Sequence, residues 1–80
     1  MASRESAIIG EEARNAIAVL LIEKVRQDEY PSSTQMDLIE QVAPTYLLRD
    51  YLNVLLEKVM RDPNPSIPLL GRVARVAQRL

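Results

Sequence analysis

The stretch Leu21-Ile22-Glu23-Lys24-Val25-Arg26-Gln27-Asp28-Glu29-Tyr30-Pro31-Ser32 returns 34 residues later as Leu55-Leu56-Glu57-Lys58-Val59-Met60-Arg61-Asp62-Pro63-Asn64-Pro65-Ser66. Carried outward without gaps, residues 19–43 align with residues 53–77, and nine of the 25 positions are identical. Core-type positions that differ keep their character, as in Leu20/Val54, Ile22/Leu56, Met36/Leu70 and Ile39/Val73. Identity that runs through a loop is hard to obtain from helix-favouring composition alone. The sequence therefore predicts a tandem duplication with period 34, whose unit is a helix, an Asp-x-x-Pro-Ser turn and a second helix.

Proline and serine mark where those helices stop and start. Tyr30-Pro31 ends a first helix expected over residues 6–28, because the residue before proline is pushed out of the α region. Ser32 with Gln35 fits a capping box that opens a short helix over residues 33–42. Pro44 suits the first turn of a third helix reaching Arg61, and Asp62-Pro63-Asn64-Pro65 stops it. Ser66 can cap a fourth helix over residues 67–79, where Pro68 is tolerated in the first turn.

Two helical hairpins that cannot each bury a face alone must pack on one another. The expected fold is all-α, a compact four-helix domain over residues 1–80 with pseudo-two-fold symmetry. Tetratricopeptide repeats share the period, but their Trp, Leu-Gly, Tyr, Ala and Phe pattern is absent and two units are too few for a solenoid. The starts Tyr30-Pro31-Ser32 and Pro65-Ser66-Ile67-Pro68-Leu69-Leu70 resemble segments of short, uncharacterised helical proteins of bacteria and their phages. That resemblance covers about a quarter of the chain and implies helices, with no activity and no functional residue attached.

Composition narrows the chemistry. The 80 residues contain no cysteine, histidine, tryptophan or phenylalanine. Triad hydrolysis, thiol chemistry and His/Cys metal sites are excluded, and no cofactor or metal is expected. No apolar run approaches the ~20 residues that cross a bilayer, and Met1-Ala2-Ser3-Arg4-Glu5 lacks the charged-then-apolar order of a signal peptide. A cytoplasmic, non-enzymatic protein is expected. The formal charge of −1 hides an asymmetry, since residues 63–80 carry Arg72, Arg75 and Arg79 and no acid.

The apolar residues are too many for one small core. Ala16-Ile17-Ala18-Val19-Leu20-Leu21-Ile22 is almost two turns without a polar residue. Ile9, Ala13, Ala16, Ile17 and Leu20 make one stripe of the first helix, with Ala18, Ile22 and Val25 on its far side. In the third helix Leu48, Leu52, Leu55 and Val59 form a seam flanked by Tyr46, Val54, Leu56 and Met60. A chain this short buries only about 60–65% of its unfolded surface, and oligomerisation is a common remedy. Self-association is therefore expected, as a dimer, or else docking of another protein. The residues expected at that interface are Ile8, Ala18, Ile22, Val54 and Met60, on the side away from the assumed core.

Other candidates have simpler roles. Glu11, Glu12, Glu23, Asp37, Glu40 and Glu57 lack acid/base partners and are expected to be solvated. Ser32, Ser33, Thr34 and Ser66 stand at helix starts and read as caps. Tyr30 is placed to pack its ring on Pro31 or on a neighbouring helix. Arg72, Arg75 and Arg79, at i, i+3 and i+7, form a stripe along the last helix that could contact an anion or a partner. A nucleic-acid-binding regulator is the alternative function they suggest, disfavoured by a pI near 5.3 and by the absence of aromatic interleaving.

Overall fold

A computed structural model describes the backbone of residues 4–80 and the side chains from residue 9 onward. Its four helices are α1 (Arg4–Gln27), α2 (Ser33–Val42), α3 (Thr45–Arg61) and α4 (Ile67–Gln78), and no strand occurs among the described residues. The chain is an all-α four-helix domain built of two helical hairpins. α1 and α3 end 34 residues apart, at Gln27 and Arg61, and α2 and α4 open 34 residues apart, at Ser33 and Ile67. Among the described residues no helix is long and apolar enough to cross a membrane.

The helix starts follow the sequence signals closely. Ser32 accepts a hydrogen bond from the Gln35 backbone N–H, and the Gln35 side chain accepts from the Ser32 backbone N–H, each at 3.1 Å. Both halves of the capping box are present. Ser66 does the same for α4 through the Leu69 N–H at 3.2 Å. Pro44 stands just before α3 as its N-cap, where its carbonyl accepts from both Leu47 and Leu48. We predict that Ser32→Ala costs about 1 kcal/mol. In urea or thermal unfolding followed by circular dichroism, Tm should fall by about 4–8 °C, with little change expected for Thr34→Ala.

Side chains at the C-terminal ends close the helices in a complementary way. The last carbonyls of a helix have no intrahelical donor and carry its negative dipole end, so cations are favoured there. Lys58, on α3, donates to the carbonyl oxygens of Asp28 at 2.6 Å and Arg26 at 3.3 Å. Arg79 donates to the Glu40 carbonyl in the last turn of α2 at 2.9 Å.

α3 is the central helix and packs against all three others, whereas α1 packs chiefly on α2 and α3. The core runs through Val25, Ile39, Tyr51, Val54, Leu55 and Val76, all essentially without solvent exposure. Pseudo-two-fold burial does not follow from the repeat: Leu20 is exposed while Val54 is buried, and Ile22 is buried while Leu56 is exposed. Unequal cover explains it, since α3 has three main neighbours and α1 has two. On α4 only Val76 is fully buried, with Leu69 and Val73 half-buried and Leu70, Ala77 and Leu80 exposed, so its apolar stripe is covered along one edge.

The shape shows where cover runs out. A compact 80-residue domain has a radius of gyration of about 12 Å; this chain has 13.9 Å and extends 49 × 24 × 18 Å. Its 24-residue α1 is about 36 Å long. No residue from 9 to 17 is buried, whereas Ala18, Ile22 and Val25 are. Residues 9–17 of α1 stand clear of the core.

Candidate functional site

Ile9, Ala13, Ala16 and Leu20 fall at i, i+4, i+7 and i+11, a spacing that keeps side chains on one line of an α-helix. With Ile17 beside them they form the most continuous uncovered apolar strip of the described surface. Ile9 is 64% exposed, Ile17 50% and Leu20 69%, with Val19 on the shoulder at 52%. Ala13 and Ala16 are exposed between the larger residues. Towards the C-terminus the strip runs into Lys24 and Gln27, both exposed.

This reverses the assignment of faces made from the sequence. Ala18, Ile22 and Val54, expected at an outer interface, lie in the core. Ala18 and Ile22 line the side of α1 that meets α2 and α3, and Val54 is enclosed at the centre of the bundle. Met60 is on the surface, 83% exposed. The side chain of Ile8 lies outside the described residues. The face that takes α2 and α3 is the one that stays apolar as α1 approaches its turn, and it leaves the Ile9 to Leu20 side free.

The arginine stripe is largely committed within the chain. Arg72 donates through Nη1 to Glu40 Oε2 at 2.6 Å and to Asp37 Oδ1 at 2.8 Å, and its side chain is only 12% exposed. The same Glu40 oxygen accepts from the hydroxyl of Tyr51 at 2.6 Å. One carboxylate on α2 thereby holds α3 and α4. Glu40, expected to be solvated, has a structural role, because two donors converge on it from two other helices. Burial, then the contact with Glu40, pushes the Tyr51 phenol far above its ordinary range, so it remains a donor. Burial alone would lower the Arg72 pKa, but hydrogen bonds to Glu40 and Asp37 outweigh it and hold the guanidinium above its usual value. Arg75 and Arg79 are both exposed, Arg79 with one donor on the Glu40 carbonyl.

A cleft of about 910 Å³ opens between the two interhelical turns, lined by Tyr30, Met36, Lys58, Arg61, Leu69 and Arg72 among others. Tyr30 is 84% exposed at its edge and does not pack away as the sequence suggests. Lys58 and Arg72, the cleft's most enclosed cations, are spent on backbone carbonyls and on Asp37 and Glu40. Among the described residues no cluster of three or more acids could hold a metal ion. No protein-family model, curated protein or solved structure matches the chain.

Proposed function

We propose that this chain is a non-enzymatic, cytoplasmic protein-interaction or assembly module that self-associates through its long first helix. The observation that carries the reading is the uncovered strip of Ile9, Ala13, Ala16, Ile17 and Leu20, on the side of α1 opposite the core residues Ala18 and Ile22. Burying such side chains is worth about 1.5–3 kcal/mol for each large residue. The commitment of Arg72 to Glu40 and Asp37 favours a protein partner over a nucleic acid, because a phosphate-binding face needs several free cations.

Size exclusion with light scattering tests it. At about 50–100 µM the expected mass is twice the 9.0 kDa of the chain, in keeping with the micromolar association typical of small interfaces. Leu20→Glu should return it to a single chain while the helical signal is unchanged. A wild-type monomer at the highest concentration would overturn the reading.

A further inference from the structure

The uncovered strip on α1 has a counterpart whose environment is visible. Thirty-four residues after Ala13, Ile17 and Leu20 stand Leu47, Tyr51 and Val54 on α3, and all three are buried. Three positions of the strip thus correspond to core positions of the second hairpin and are bare in the first, while the counterpart of Ala16, Asp50, is exposed. A surface of this register is closed by helices of this same chain in one half of the molecule, which makes a second copy the fitting occupant in the other.

Symmetry then restricts how two copies meet. A two-fold dimer uses the same patch on both subunits. The order Ile9, Ala13, Ala16, Leu20 is large, small, small, large about a midpoint between residues 14 and 15. Turned end for end, it sets Ile against Leu and Ala against Ala, and the alanines let the two backbones come close. Charge selects the antiparallel over the parallel pairing. The strip continues into Lys24, whose side chain is 60% exposed, and a parallel pair would bring the two lysines together. An antiparallel pair sends them to opposite ends and opposes the helix dipoles. The body of each protomer lies on the other side of α1, against Ala18, Ile22 and Val25.

Resting on the self-association reading, we infer that α1 pairs antiparallel with α1 of a second copy, Ala13 lying against Ala16 of the partner subunit and Ile9 against Leu20 of the partner subunit. Ile9, Ala13, Ala16, Ile17, Val19 and Leu20 can bury at most on the order of 900 Å² over the pair, at the lower limit for a specific interface. A reversible dimer follows.

The absence of cysteine makes the register directly testable. Ala13→Cys and Ala16→Cys, both at exposed positions, are made separately, one of them labelled with ¹⁵N so that mass spectrometry separates mixed from like pairs. After confirmation of native helicity, the two are mixed and oxidised mildly. The mixed disulfide, joining position 13 of one variant to position 16 of the other, should form at least ten-fold faster than either like pair. Faster like pairs would show a parallel arrangement, and equal slow rates a different face. Either result overturns the inference, and light scattering on the unmodified chain separates that failure from a failure of self-association itself.

Discussion

Ile22→Asp is expected to unfold the chain, whereas Leu20→Asp, two residues away on the same helix, should leave it folded and monomeric. Ile22 is 5% exposed and belongs to the cluster with Val25, Ile39 and Leu55. A carboxylate there would be desolvated without a partner, a cost of several kcal/mol added to the lost apolar burial. Domains of this size hold only about 4–12 kcal/mol in total. Leu20 points the other way, and a charge at its position stays in water in the single chain while opposing any second copy. Circular dichroism should show the helical signal largely lost for Ile22→Asp at 25 °C and retained for Leu20→Asp. Light scattering should report the single-chain mass for Leu20→Asp. If Ile22→Asp folded with native helicity, the side of α1 assigned to the core would be wrong.

These paired variants bear on what could be seen in the amino-acid order. Helix limits were legible because they depend on local chemistry: Ser32 with Gln35, Ser66 beside Pro65, and the conformational veto of Pro31 on Tyr30 act within a few residues. The inward face of α2 was legible too, since Met36 and Ile39 are backed by polar Asp37 and Gln41. On α1 both faces are apolar over residues 16–22, so periodicity gives two equivalent answers. The deciding signal lies in how each face continues. The Ile9 to Leu20 strip meets Lys24 and Gln27 near the turn, and the Ala18 to Ile22 strip meets Val25 there. A hairpin partner that starts at Ser33 first covers the end of α1 nearest the turn, and α2 has only ten residues with which to cover it.

The network around Glu40 was invisible for another reason. Arginine at i, i+3 and i+7 announces a stripe, but which acid each one meets depends on the packing of α4 against α3 beside α2. Tyr51 gave no sign of its role because a buried tyrosine and a surface tyrosine look alike in an amphipathic pattern. Two ordinary residues, Glu40 and Arg72, thus link the hairpins at a place where α2 and α4 have few other contacts.

Removing that link should produce the second large loss. Arg72→Met keeps most of the side chain's length and apolar contact but leaves Glu40, at 17% exposure, with only the Tyr51 hydroxyl and residual water. Breaking one side of a buried ion pair costs about 3–5 kcal/mol, and the partial exposure here places the expectation at about 2–4 kcal/mol. For a domain of this size that lowers Tm by about 10–20 °C. Tyr51→Phe removes one hydrogen bond to the charged oxygen and should cost about 1–2 kcal/mol. Asp37→Ala, at an acid 62% exposed, should cost less than about 1 kcal/mol. The decisive variant is the double replacement Glu40→Met with Arg72→Met. A pair replaced on both sides by apolar groups no longer contains a stranded charge, so the double variant should be more stable than Arg72→Met alone. Urea titrations at constant m-value would measure these four together with the single variant Glu40→Met. Strictly additive losses for Glu40→Met and Arg72→Met would mean that the two residues do not act as a pair, and α4 would then be held to the bundle mainly by its apolar edge of Leu69, Val73 and Val76.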